Sequence, residues 1–425
     1  MNEIPVWSLA PFILVVLSVA ILPALFPHFW KKYNLLWLAA LALPILAMVS
    51  ALSPLLVVDT FIDYVSFISL LGALYSIGGG LFISGTAKAN PFVNMRYMII
   101  GAIIANVIGT LGASMILIRP LLRANRGRKH EAHVILFFIF IVSNVGGLLS
   151  PLGDPPLLLG FLNGVPFSWT FKLVEIWLFA VTALTGIFLA LDSYFFLEDP
   201  DFRGPAKMEV AEPIHVTGRW NIGLIILVLG ALTLPTLLPE EFSQWRHFIR
   251  IGMLLLTTWL SQKQTPELVK KLNHFSWEPM IEVAVIFASI FATMIPATQY
   301  LSAHAGDLGL QTPKAFFWFS GIVSSVLDNA PSYAAFFSVA KGLTVEGAQV
   351  ALHHGQKISE SLLSAISAGT VFFGSMTYIG NAPNLLVKSV AEENDIKMPS
   401  FFSYILWSVV FVLPVLFLTS VFFFE

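Results

Sequence analysis

Two stretches of this chain, 227 positions apart, read almost alike: Gly147-Leu-Leu-Ser150-Pro-Leu-Gly153-Asp154-Pro155-Pro156 and Gly374-Ser-Met-Thr377-Tyr-Ile-Gly380-Asn381-Ala-Pro383. The common pattern is G-x-x-[S/T]-x-[L/I]-G-[D/N]-x-P, and each copy lies inside a long apolar segment. Glycine and proline interrupt helices, while Asp or Asn just ahead of Pro is the signature of a helix start. Each copy therefore predicts a helix that stops and restarts within an apolar run. Paired interruptions in two halves of a chain mark the binding site of a membrane carrier.

Composition fixes the solvent. Hydrophobic residues make up 57% of the chain and charged ones 11%, against about 25% charged in soluble domains, so the fold is a polytopic membrane protein in a lipid bilayer. The net charge of −2 excludes nucleic acid as a partner by charge. With no cysteine present, disulfides, thiol catalysis and thiolate metal sites are excluded together. The apolar run Ser8–Phe26 has no basic residue ahead of it before Lys31, which reads as a retained membrane helix rather than a signal peptide.

Apolar stretches of membrane length occur at 8–27, 34–52, 62–84, 96–122, 132–163, 169–196, 219–239, 247–262, 279–302, 312–340, 358–391 and 401–424. The polar segment 197–218 is a linker, and 263–278 reads as a short amphipathic piece at the interface. Segment 96–122 is either one span or a re-entrant hairpin whose tip, Ile108–Ser114, contains Thr110, Gly112 and Ser114. Taking it and 312–340 as hairpins places seventeen of the 23 Lys and Arg residues on one side. The positive-inside rule makes that side cytoplasmic and puts both termini outside. The second tip, Leu327–Tyr333 with Pro331 and Ser332, is offset from the first by 219 positions. Trp7, Trp30, Trp169, Trp245, Trp277 and Trp318 fall near span ends, as interfacial anchors do.

The expected fold is all-α: two inverted repeats, each with a re-entrant hairpin and a broken transmembrane helix. Residues 1–60 form N-terminal helices, 61–196 the first repeat, 197–278 a linker with connecting helices, and 279–425 the second repeat.

At these motifs the chain resembles the ion transporter superfamily, which includes ArsB/NhaD-type permeases, citrate transporters and divalent anion/sodium symporters. Ser150-Pro-Leu-Gly-Asp154 and Leu327-Asp328-Asn329-Ala-Pro331 look most like NhaD-type sodium/proton antiporters, whose motifs carry Gly-Asp and Asp-Asn-x-Pro at these places. That resemblance assigns Asp154, Asp328 and Asn329 residue by residue. Pro155-Pro156 departs from it, standing where hydroxyl residues are expected. Asn381-Ala-Pro383-Asn384 approaches the Thr-Pro-Pro-Asn breaks of dicarboxylate symporters, and citrate transporters of the same superfamily match as well. Homodimerisation in the inner membrane is implied by the resemblance alone.

The residues themselves point to charge transport. Asp154 and Asp328 are the acids placed near mid-membrane, whereas Asp63, Glu175, Asp192 and Glu282 fall near helix ends, and no Lys or Arg reaches the midplane. A carboxylate at that depth costs at least ~2.5–3.5 kcal/mol, so it calls for a cation, a proton or a wet cavity. Helix capping alone would be served by Asn or Ser, as Asn381 illustrates. Hard oxygen ligands suit a small cation. The expected site is thus Na⁺ (or Li⁺) competing with H⁺ at Asp154 and Asp328. Ser150, Asn329, Thr377 and Asn381 and the carbonyls of Gly146, Gly147, Gly374 and Gly380 complete it. No cofactor is called for beyond transported Na⁺ and H⁺. Sodium/proton antiport is the leading expectation. Sodium- or proton-coupled symport of citrate or another small organic anion is its rival, and metalloid export is a third by analogy. The chain has no His-Glu-x-x-His, no Gly-x-Ser-x-Gly and no phosphate loop, so it is not expected to be an enzyme.

Overall fold

The computed structural model describes residues 6–86, 89–199, 212–239, 241, 245–343, 347–352 and 355–425. Lys88, Arg203, Lys207 and most of the 197–218 linker lie outside these. Among the described residues seven helices are long and apolar enough to cross a membrane: Val6–Pro23, His28–Leu52, Pro54–Gly79, Pro91–Asn125, Ala132–Leu149, Phe167–Leu197 and Glu278–Ala303. An eighth span is the pair Phe401–Phe411 and Leu413–Phe423, bent by 41°. Pro414 enters the second helix of that pair as an early residue, where it lacks the N–H that would bond back across the bend. The protein is a mostly helical, multi-pass membrane protein.

The twelve expected stretches are more than the long helices because several are built from half-length pieces. Segment 312–340 consists of Pro313–Val326 and Asn329–Gly342, and 358–391 of Glu360–Phe373 and Ala382–Glu393. The all-α expectation also needs correcting, for two small antiparallel ribbons are present. Phe82–Thr86 pairs with Glu212–Thr217 and Gln349–Ala351 with Lys357–Ser359. Arg123 donates to the Ile83 carbonyl at 2.6 Å, which fastens the first ribbon to the membrane helices.

Pro91–Asn125 is folded in two. Asn94 and Asn125 exchange side-chain hydrogen bonds of 2.9 and 2.8 Å. In a straight helix residues 31 positions apart would stand about 46 Å from each other. The turn is at Gly109, whose φ of 81° and ψ of 155° belong to a region open essentially to glycine alone. The returning arm starts at Thr110, so Gly112 and Ser114 lie on that arm rather than at the tip. The hairpin base is held by a buried network: Arg128 and His133 meet Asp192 at 2.6 and 2.9 Å, and Asn94 donates to the same carboxylate at 2.9 Å. Asp192, expected near a helix end, is fully enclosed.

Pro313–Val326 and Asn329–Gly342 also fold back on each other. The rings of Phe316 and Phe336 are 6.3 Å apart, where a continuous helix would separate them by about 30 Å. Leu327 and Asp328 form the extended tip, and Pro331 and Ser332 sit in the first turn of the returning arm. Ala132–Ile141 packs against the first hairpin, Val174–Leu197 and Ala382–Glu393; it is apolar on every side and buried from His133 onward, as a helix at the centre of a bundle is.

Candidate functional site

Both near-repeats are interrupted helices of the same shape. After Ala132–Ile141 a 3-10 turn, Val145–Leu149, leads to extended Ser150, a loop, extended Asp154 and a new helix at Pro155–Leu162. After Glu360–Phe373 a 3-10 turn, Gly374–Met376, leads to extended Thr377, a loop, extended Asn381 and a helix at Ala382–Glu393. Each loop curls back on its own first glycine. A Cβ on Gly153 would collide with the Gly147 carbonyl oxygen, and one on Gly380 would stand 2.7 Å from the Gly374 oxygen. Each loop is then pinned to a hairpin in the same way. Ser150 Oγ donates to the Asn106 carbonyl at 2.5 Å, and Thr377 Oγ1 donates to the Ser325 carbonyl, also at 2.5 Å.

The four chain breaks meet at one carboxylate. Asp154 is 2% exposed. Its Oδ1 accepts from Thr110 Oγ1 at 2.9 Å and from Asn381 Nδ2 at 3.2 Å; its Oδ2 accepts from Asn329 Nδ2 at 2.7 Å. Thr110 comes from the first hairpin, Asn329 from the second and Asn381 from the second broken helix. All three donors are neutral, and among the described residues no Lys, Arg or His forms an ion pair with this buried acid. Such a charge is held against a large desolvation cost, which a cation or proton at the carboxylate would relieve.

The surrounding asparagines are themselves positioned. Asn329 Oδ1 accepts from Ser324 Oγ at 2.8 Å, which turns its amide nitrogen toward Asp154. Asn144 donates to Asn384 Oδ1 at 2.8 Å, and Asn384 donates to the Gly374 and Thr377 carbonyls at 2.8 and 2.9 Å. Gly146 O accepts from Asn106 at 2.6 Å and from Trp177 at 2.9 Å, so both its lone pairs are engaged by protein. Gly147 meets Gly153 within the first loop, and Gly380 meets Gly374 within the second. Ser114 Oγ pairs with Ser143 Oγ at 2.8 Å, and the Ser143 carbonyl accepts from Asn381 Nδ2 at 3.1 Å. Asn106 and Asn144 were not singled out from the sequence; a lone asparagine inside an apolar run was the available signal.

A cavity of about 410 Å³ adjoins Asp154. Thr110, Asn381 and Asp328 line it, together with residues of Pro54–Gly79 and Glu278–Ala303. Asp328 is partly buried, at the start of Asn329–Gly342, with its carboxylate against the Asn329 and Ala330 N–H groups. The charged residues of the lining are Asp154, Asp328 and Glu282, with no Lys, Arg or His among them. Two half-helix N-termini, at Pro155 and Ala382, also face this space and supply positive dipole ends. Trp30, read from sequence as an interfacial anchor, is 4% exposed, lines the cavity and donates to Glu282 Oε1 at 3.2 Å. His353 and His354 lie outside the described residues.

The model of a family described as "Putative citrate transport" matches residues 1–424. The chain belongs to that family. It is similar to an uncharacterized transporter of Mycobacterium bovis and to one of Mycobacterium tuberculosis, each 21% identical over 356 residues, covering 79% of this chain and 80% of the relative. The protein is a membrane transporter and not an enzyme. Of the two leading expectations from sequence, the family favours the citrate-type carrier over sodium/proton exchange.

Proposed function

We propose that this protein is a sodium- or proton-coupled symporter of citrate or another small carboxylate. Asp154 is the coupling site. The observation that carries the reading is the convergence of both hairpins and both broken helices on that one buried acid. A cation or proton there neutralises the charge and ties the four elements together. The carboxylate substrate then meets Asn381, Asn329 and the two positive half-helix ends, which bind anions through N–H groups.

Charge dictates the order of binding. The cavity lining holds three acids and no base, and two like charges 4 Å apart repel by roughly 4 kcal/mol at an effective dielectric of ~20. An anion therefore enters only with, or after, a compensating cation. The same acid-only lining favours sodium/proton antiport as the second reading, with Asp154 and Asp328 exchanging the two cations.

The 61–196 and 279–425 segments act in this reading as inverted repeats, flanked by 1–60 and 197–278. The paired Ser150–Asn106 and Thr377–Ser325 hydrogen bonds, at offsets of 227 and 219, support it. Both termini then lie outside, and the cavity, lined by Trp30 and by the Glu278 end of Glu278–Ala303, opens to the cytoplasm.

The test is uptake of labelled citrate by reconstituted protein under an imposed Na⁺ or pH gradient. Citrate accumulation that requires the cation gradient is expected. Na⁺-driven proton flux without any citrate uptake would establish antiport instead.

A further inference from the structure

The chain buries two arginines among its described residues, Arg128 at 6% and Arg250 at 7% exposed. Arg128 has Asp192 at 2.6 Å. Arg250, on the helix Arg246–Gln264, has no comparable partner: its Nε is sealed from solvent and makes no hydrogen bond. Its guanidinium lies 5.2 Å from the centre of the Phe161 ring, and Asp63 is the carboxylate acting on it, without an ion-pair contact. Sequence reading placed Asp63 near a helix start; it lies instead well inside Pro54–Gly79. A guanidinium N–H sealed away from water without an acceptor is costly, and a carboxylate that reached it would relieve the cost.

Its location says which anion. Asp154, Leu158 and Phe161 are spaced i, i+4, i+7 and so form one stripe of the first half-helix. Asp63, Phe67, Leu70 and Leu74 form one stripe of Pro54–Gly79 by the same rule. Leu158, Leu70 and Leu74 line the cavity, and following either stripe away from it leads to Arg250. Along the Pro54–Gly79 stripe, between Leu70 and Asp63, aromatic rings pack: Phe67 on Phe287 at 4.7 Å and on Phe291 at 5.5 Å. The stripes thus run from an open, acidic half at the cavity to a closed half at Arg250, beyond the Phe67 aromatic cluster.

We propose that Arg250 is an anion-recognising residue of the closed half, whose guanidinium takes a carboxylate of the substrate when the Phe67–Phe287–Phe291 seal parts. The inference rests on the carboxylate-symport reading and adds a specificity residue to it. Phe161 holds the planar fork from one face, leaving its edge for bidentate contact. Asp63 competes for the same charge and is displaced by the substrate.

The test measures labelled citrate uptake in right-side-out and inverted vesicles carrying the full chain. Arg250→Gln is expected to raise the citrate KM about tenfold or more, the value of one charge-assisted hydrogen bond. The rise should appear from the face opposite the cavity, with the coupling-cation KM unchanged. Asp63→Asn should lower the citrate KM by removing the competitor. An unchanged citrate KM in Arg250→Gln, or a rise in Asp63→Asn like that in Arg250→Gln, overturns the proposal in favour of a structural pair. If Arg250→Gln fails to insert, Arg250→Lys decides: it keeps the charge and loses the fork, and an unchanged KM overturns the proposal. Wild-type protein that carries no carboxylate overturns the symport reading and this one with it; active wild type with an indifferent Arg250 overturns this one alone.

Discussion

Replacing Asp154 by Asn separates the function of its charge from that of its hydrogen bonds. The carboxylate accepts two bonds on Oδ1 and one on Oδ2. An amide can keep its oxygen at the Oδ1 place, preserving the contacts to Thr110 and Asn381. Its NH₂ then points at Asn329 Nδ2 unless Asn329 turns over, which Ser324 allows when its one hydroxyl proton goes to the Thr370 carbonyl at 2.7 Å. One donor–donor mismatch costs about 1–3 kcal/mol. Against it stands the removal of a buried charge whose desolvation is worth several kcal/mol. The two effects offset, so Asp154→Asn should fold with a stability within about 2 kcal/mol of the parent, or higher. Coupled uptake should nevertheless fall at least ~100-fold, because the cation loses its charged ligand. Thermal unfolding in detergent and cation-driven citrate uptake in proteoliposomes read the two quantities separately. A variant that folds and still couples citrate to the cation gradient would falsify the coupling role. A variant that fails to fold would mean the acid is chiefly structural.

Other perturbations have outcomes of the same kind. Asn381→Asp sets a second carboxylate 3.2 Å from Asp154 Oδ1; uptake at neutral pH should fall and return on acidification, as a pH series of initial rates would reveal. Gly153→Ala drives a methyl into the Gly147 carbonyl and should cost several kcal/mol, whereas Gly380→Ala, with 2.7 Å to Gly374 O, should cost less; melting temperatures rank them. Asp192→Asn strands the buried Arg128 and should destabilise by about 3–5 kcal/mol, while the double change Arg128→Met/Asp192→Leu should recover much of that loss in the same melt. Because the chain has no native cysteine, Ala89→Cys/Ala124→Cys is a clean test of the first hairpin. Ala89 N and Ala124 O are 3.2 Å apart, so the pair should crosslink on oxidation, and a straight helix would not allow it.

What could be read from sequence was whatever depends on local chemistry. Gly-Asp-Pro and Gly-Asn-Ala-Pro dictate interruptions wherever they occur, so the broken helices were legible from a few residues each. The first tip was legible as a glycine-bearing region, but three small residues competed for the turn. The choice of Gly109 depends on arm lengths that bring Asn94 opposite Asn125. The network at Asp192 and the crevice from Asp63 to Arg250 were not legible. They join residues on four or five different elements, and each looks ordinary within its own helix. The ribbon Phe82–Thr86 was missed because its partner strand, Glu212–Thr217, lies within the polar 197–218 segment read as a linker, far along the chain.

Gathering Thr110, Asn329 and Asn381 onto a single acid also limits how such a machine can move. Pulling one hairpin away while its fellows stay would strip a hydrogen-bond donor from the buried acid. On the carrier reading, the two tips and the two restarted helices are then expected to travel as one block past the frame of Pro54–Gly79 and Glu278–Ala303. Alternation between the faces becomes a change of neighbours around an undisturbed nucleus, and the lubricant is the apolar surface that the frame presents.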